Sequence, residues 1–298
     1  MLKFFFFISF VFAFFLFIYP MIGKSTASLV LINMPNEYKL PRNFRMTNEA
    51  TEESARKNLA ELNASGSAQF SAESLKKILS ILPTTKVTLI DLREESHGFI
   101  NGTAMCWYGT RGWSNRGKIL EKIVLDEFTK LAMVSKKSFV LAYKDKSIPQ
   151  LLFPSDVYSE EALAYSLDIN YLRLPVTDHC RPCDEIVDQF VHFVKFIPDD
   201  MWLHFHCSAG KGRTTTFLAM YDIIRNAQTT PIDLIIKEHE MLGGIDLLDI
   251  PPDDFWKHEH AEQRAEFIRY FYQYCLENPE FNEPWSSWFE KKWTDIHE

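Results

Sequence analysis

Apolar and polar positions along this chain follow two periods, and the points where one gives way to the other mark the predicted elements. Val87 to Asp91, Ser138 to Tyr143, Tyr171 to Pro175 and Asp200 to His206 are short, largely apolar runs of strand length. Ala72 to Leu82, Lys118 to Ala132, Ser159 to Leu167 and Asp184 to Phe196 repeat their apolar residues at helical spacing, as does the chain from Thr215 onward. In Asp184 to Phe196 the stripe is Ile186, Val187, Phe190, Val191 and Val194, which predicts an inward face. Pro231 opens a helix through Met241 that Gly243-Gly244 stops, and a last long helix is expected from His258 to Leu276. Ser28 to Ala68 is expected to be weakly structured, with polar Thr47 to Ser67 a helix or a linker. The stretch after Asp91 as far as Asn115 is expected to be an irregular loop. Strands interleaved with helices favour an α/β sheet.

The N-terminus stands apart from this pattern. Lys3 precedes Phe4 to Tyr19, an almost unbroken apolar run ended by Pro20, and small residues follow with an exit near Ala27. Residues 1–27 read as an export signal or, because the run approaches membrane-spanning length, as an uncleaved anchor. Both readings put residues 28–298, a single domain, outside the cytoplasm, periplasmic or secreted, with the membrane met only through that anchor. A chain of 298 residues with 46% hydrophobic content can bury a substantial core. The formal charge of −8 argues against nucleic acid as a partner and confines attraction for a polyanion to a local basic pocket. Arg111 to Lys122, with Lys136, Lys137, Lys144 and Lys146, concentrate basic charge in what suits a solvated insert better than a site.

Between the run ending at His206 and the helix from Thr215 lies Cys207-Ser208-Ala209-Gly210-Lys211-Gly212-Arg213-Thr214. At a strand-to-helix junction, free backbone N–H groups and the positive end of the helix dipole face whatever the loop encloses. Gly210 and Gly212 let the chain curl, so that the N–H groups of Ser208, Ala209, Gly210, Lys211 and Gly212 converge on an anion. Such surroundings favour a thiolate, which makes Cys207 a nucleophile. Arg213 supplies a planar fork for two phosphate oxygens and stabilises transition-state charge. Thr214 can donate its hydroxyl to the sulfur, and His206 is expected to fix the loop through backbone contacts.

With the loop, three further segments resemble the protein tyrosine phosphatase-like phytases, cysteine phosphatases that remove phosphates from inositol polyphosphates. These are Pro41 to Arg45, Asp91 to Gly102, and Thr177-Asp178-His179 with Pro182 behind. The resemblance spans Pro41 to Cys275. It implies the cysteine phosphatase fold, a central mixed sheet flanked by helices with a small partial β-barrel inserted, the insert falling near residues 115–156. It assigns to Asp178 the role of general acid, which expelling an alkoxide requires. It also implies a binding role for Arg45, whose alternative is a solvated surface charge. Lys211 and His179 add donors beyond Arg213, which a substrate with several phosphates would use. Asp91, Arg93, Glu94, Glu95 and His97 read as a structural network that locks loops.

Cys180-Arg181-Pro182-Cys183 departs from the family pattern, and three readings stand: two plain thiols, a disulfide stiffening the acid loop, or a redox pair. Cys106 and Cys275 belong to the core. No metal-ligand constellation and no cofactor motif is present in the sequence. The reading that unites these residues is a phosphatase acting on inositol polyphosphates, inositol hexakisphosphate in particular, through a phosphocysteine. The alternatives are a protein tyrosine phosphatase, which asks for a deep slot with less positive charge around it, and a silent phosphoinositide-binding module. Intact Cys207, Arg213 and Asp178 speak against the last.

Overall fold

The computed structural model describes residues 29–49 and 57–297. The leader expected at 1–27 lies outside them, as does part of the segment Thr47 to Ser67. In chain order the strands are β1 (Leu29–Met34), β2 (Arg45–Met46), β3 (Ala64–Ala68), β4 (Val87–Arg93), β5 (His97–Ile100) and β6 (Thr103–Tyr108). They continue with β7 (Val140–Lys144), β8 (Ile148–Leu152), β9 (Val157–Tyr158), β10 (Asn170–Val176) and β11 (Trp202–Cys207). The helices are α1 (Lys57–Ala60), α2 (Ala72–Ile81), α3 (Leu120–Ser135), α4 (Glu160–Ser166), α5 (Asp184–Phe196), α6 (Gly212–Asn226), α7 (Ile232–Met241), α8 (His258–Glu277) and α9 (Trp285–His297).

The central sheet has five strands in the order β10-β4-β11-β3-β2, parallel except for β2, which pairs antiparallel with β3. β4 and β11 are buried along their whole length, as strands covered by helices on both faces are. On one face α5 buries Ile186, Val187, Phe190, Val191 and Val194, the predicted stripe. Beside it α6 is buried from Arg213 through Ile223, wedged between the sheet and helices α7 and α8. The other face packs α2 and α4 through Phe70, Leu75, Ile78 and Leu163. This is the expected mixed α/β architecture.

A second sheet runs β8-β7-β1-β6-β5-β9. Its strands come from both sides of the insert expected at 115–156: β7 and β8 lie within that range, β1, β5 and β6 before it and β9 just after. Two expectations fail here for readable reasons. The stretch expected to be irregular holds the hairpin β5–β6, whose turn Asn101-Gly102 has φ of 52° and 78°. Two consecutive left-handed residues make the turn that matches strand twist, and Asn-Gly is its strongest local signal. The segment expected to be weakly structured holds β1 and β3. β3, Ala-Ser-Gly-Ser-Ala, has no β-branched residue to announce it, yet all five positions are buried.

β3 is built of small residues because α6 lies on it. A Cβ on Gly66 would stand 2.7 Å from Thr214 Cγ2 and 2.9 Å from Leu218 Cδ1. Its serines serve β11: Ser65 Oγ and Ser67 Oγ lie 2.8 and 3.1 Å from the two ring nitrogens of His204. Burial, with His206 nearby, pushes the His204 pKa down to about 3, so the ring is neutral at physiological pH. Valine is a better strand former than glycine, but Gly66→Val is expected to lower stability by about 1–3 kcal/mol through overpacking against α6. Urea unfolding reads this as a lower midpoint at unchanged slope, and an unchanged midpoint would refute the tight contact.

Candidate active site

The loop from Cys207 to Lys211 joins the end of β11 to the start of α6. Its curvature is set at Gly210, where φ is +70° and an added Cβ would fall 2.2 Å from Ala68 N and 2.4 Å from Ser67 C. Only glycine fits there. The turn carries the Gly210 N–H to within 3.2 Å of Cys207 Sγ, and Thr214 Oγ1 donates to the same sulfur at 3.2 Å.

Arg45 is where the structure parts from expectation. It is buried behind the loop, where its fork donates to Gly210 O (2.8 Å), Asn43 O (3.0 Å) and Thr215 Oγ1 (3.1 Å). It braces the loop instead of lining the cavity in front of it. Burial pushes its pKa down to about 10, opposed by Cys207, so it remains a buried cation at neutral pH. Asn43 Nδ2 adds a second brace to Ala209 O at 2.7 Å.

His206 also differs from expectation, since its ring leaves the loop alone. It is fully buried, with Nε2 2.5 Å from Glu160 Oε1 and 3.8 Å from Asp91 Oδ1, and Phe70 edge-on. Burial alone would raise the Glu160 pKa, but His206 overrides it and the value falls to about 2. His97 joins the cluster 3.3 Å from Asp91 Oδ2 and 3.4 Å from Glu160 Oε2. Burial works against its charge, but Asp91 lifts its pKa to about 10. Asp91, His97 and Glu160 are close enough to share a cation. Tyr171, Arg173 and Gln69 already engage the two carboxylates, which reads as internal charge pairing. Of the network expected of Asp91, Arg93, Glu94, Glu95 and His97, Arg93 joins Asp91 and Glu95 and His97 joins Asp91, while Glu94 Oε2 has no hydrogen-bond partner.

Arg213 ties that network to the site. Its guanidinium meets both Glu95 oxygens, at 2.8 and 3.0 Å, and donates to Val176 O at 3.0 Å. Its Nη2 reaches Asp178 Oδ1 at 3.1 Å, while its Nε has no hydrogen-bond partner. Burial would raise the Glu95 pKa, but Arg213 and Arg93 hold it well below the usual carboxylate range. Asp178 follows β10. Its Oδ1 also accepts from His179 N at 3.1 Å, and His179 Nε2 stands 3.4 Å from Oδ2. Burial first, then neighbouring cations, depress the His179 pKa against the pull of Asp178.

Asp178, His179, Cys207, Ser208, Lys211 and Arg213 all line one cleft of about 690 Å³. Lys211 Nζ is held by Gly243 O at 2.6 Å. Lys257 and Arg264, unpredicted, complete the wall. Burial lowers the Arg264 pKa although Asp249 and Asp246 oppose it, and its Nε has no partner. The signal for them was helical spacing: Lys257, just before α8, and Ala261 and Arg264 within it lie on one face, and all touch the cleft. Cys180 and Cys183 are free thiols, and burial pushes both up, away from thiolate character.

The family model of the PTP-like phytases, described by the words inositol hexakisphosphate, matches residues 90–225. A PTP-like myo-inositol phosphatase from Mitsuokella multacida, solved with myo-inositol-(1,3,4,5)-tetrakisphosphate, is 35% identical over 89% of this chain and 48% of its own, with a TM-score of 0.85. A PTP-like phytase from Bdellovibrio bacteriovorus is 33% identical over 88% of this chain and 94% of its own, with a TM-score of 0.73. Effector protein hopD2 of Pseudomonas syringae pv. tomato is 28% identical over 78% of this chain and 52% of its own length. The chain thus spans about half of the Mitsuokella and Pseudomonas proteins and nearly all of the Bdellovibrio one. With an α/β fold shared along almost the whole of that phytase, the chain belongs to the PTP-like phytase family.

Proposed function

We propose that this chain is a phosphatase that hydrolyses phosphate monoesters of inositol polyphosphates, inositol hexakisphosphate among them, through a phosphocysteine. The observation that carries the reading is Arg213, which touches Asp178 while sharing one cleft with Cys207. In the first step the Cys207 thiolate attacks phosphorus, the bond to the inositol oxygen breaks, and Asp178 gives that oxygen its proton. Arg213 and the loop N–H groups take up the charge on the phosphoryl oxygens. In the second step water attacks phosphorus, Asp178 accepts the proton, and sulfur departs as thiolate, with the Thr214 hydroxyl hydrogen-bonded to it. His206 acts behind the loop and Arg45 beneath it, both as supports.

The substrate class is read from charge. Lys211, Lys257, Arg264 and His179 border the cleft beyond the group that binds one phosphate, and a substrate with several phosphates engages them together. Glu240, Asp246 and Asp249 sit on the same wall, which suits a discriminating site better than a general anion sink. Export of the catalytic part belongs to the same proposal, supported by the apolar run Phe4 to Tyr19.

Cys207→Ser is expected to bind inositol hexakisphosphate and release no phosphate above background, because an alkoxide is not accessible at neutral pH. Measurable turnover by that variant would rule out the covalent route. Asp178→Asn should lose roughly 100- to 10,000-fold in kcat on inositol hexakisphosphate and clearly less on an activated aryl phosphate. Equal losses on both substrates would remove Asp178 from the acid role. Lys211→Met should raise KM for inositol hexakisphosphate while sparing a small monophosphate. A higher kcat/KM for phosphotyrosine peptides than for inositol hexakisphosphate would instead favour a protein substrate.

A further inference from the structure

The acid loop is gripped from outside by groups that neither the catalytic step nor the hydrophobic core accounts for. Trp113 follows the single turn Thr110–Gly112 that leaves β6 of the second sheet, and its Nε1 donates to the backbone oxygen of Asp178 at 2.9 Å. Trp256 comes from the chain just before α8 and meets the His179 ring edge-on, centroids 4.9 Å apart at 88°. The Arg111 guanidinium contacts both indoles, 5.1 Å from the Trp113 ring and 4.5 Å from that of Trp256. Arg116 stands 4.4 Å from the Trp113 ring. Burial does not explain the grip, because Trp256 is 38% exposed and Trp113 only half-buried.

The backbone beneath these side chains is unusual in the same place. Arg111 has φ of 61°, a conformation unfavourable for a residue with a side chain, and Gly112 follows at 81°. The two left-handed residues bring the turn against the acid, so that a Cβ on Gly112 would lie 3.4 Å from Asp178 Oδ2. Across the contact His179 is itself left-handed, at φ 72°. Such conformations persist only where surrounding contacts hold them, and they gather at functional sites.

We propose that Trp113 is a positioning residue for the acid: its N–H, with Arg111 against its ring and Trp256 edge-on to it, fixes the Asp178 backbone, so the carboxyl is already directed at the leaving oxygen. This rests on the phosphatase reading above, and it gives the second sheet a share in specificity. A general acid works only within hydrogen-bond reach of the oxygen it protonates, and a misplacement near 1 Å costs on the order of 100-fold. The loss should therefore appear in kcat, and only where the leaving group needs a proton.

The test is Trp113→Phe, which keeps the ring and deletes the N–H, with Arg111→Gly as a second variant that keeps the turn and deletes the cation. Both are assayed on inositol hexakisphosphate and on an activated aryl phosphate, and followed by amide hydrogen exchange over residues 176–183. Trp113→Phe is expected to lower kcat on inositol hexakisphosphate on the order of tenfold, with KM little altered and a much smaller loss on the aryl ester. Exchange in 176–183 should quicken while that of 207–214 holds, and Arg111→Gly should move both readouts the same way. Equal losses on the two substrates, or unchanged exchange, would overturn the proposal. If the unmodified chain releases phosphate from neither substrate, the phosphatase reading falls, and exchange alone then decides whether Trp113 holds the loop.

Discussion

Arg213 is a cation taken out of water and bound on several sides by oxygen before any ligand arrives. Left unpaired, a buried charge of this kind costs several kcal/mol, and removing one partner of a buried pair typically costs about 3–5 kcal/mol. The partners come from separate parts of the central sheet. Glu95 follows β4, Val176 ends β10, Asp178 lies just beyond it, and Arg213 itself opens α6. The sheet must close in this order for the charge to be satisfied, so the demand of one guanidinium fixes where the nucleophile loop, the acid loop and the end of β4 meet. Arg93 extends the arrangement through the other side of Glu95. A fork held this firmly does not have to be reoriented as charge develops on a phosphoryl group.

What was legible in the sequence was local. Cys207 to Thr214 is one contiguous loop whose chemistry is written in consecutive residues, and the amphipathic stripe of α5 lies within a few turns. Trp113, Lys257 and Arg264 reach the site only through the fold, so nothing in their own neighbourhood announced them beyond the spacing along α8, while Glu95 was read as part of a network but its grip on Arg213 comes only with the fold. Arg45 and His206 show the opposite failure. Both neighbour the loop and both carry charge-bearing groups, yet β2 directs Arg45 under the loop and the alternation of β11 directs His206 into the carboxylates behind it. β3 was hidden because its small residues answer to α6, and strand propensity measures packing in an average environment. α9 was missed at the far end, where Trp285 buries itself against Phe267 and Tyr274 and donates to Asp184 Oδ1.

The two histidines of β11 show how one strand gives side chains two residues apart different polar partners. His204 lies between two serines with His206 nearby, and burial keeps it neutral. His206 faces Glu160 and Asp91. Neither ring enters the cleft. Each instead pins β11 to an adjacent element, His204 to β3 and His206 to α4 and β4, so the strand that delivers Cys207 is fastened by polar contacts on its neighbours as well as by the ladder.

The contact between Gly210 and β3 has a bearing on how the molecule comes apart. Active-site loops are commonly drawn from the least stable part of a protein and melt before the rest. Here the loop backbone is pressed against the Ser67-Ala68 peptide with no side chain between them, and Gln69 N reaches back to Ser208 O. The loop and the middle of the sheet therefore form a single cooperative unit, in which the nucleophile cannot be released without opening β3. Heat or denaturant should extinguish the site and the sheet in one transition, leaving no intermediate that keeps its strands while its catalytic loop is already lost.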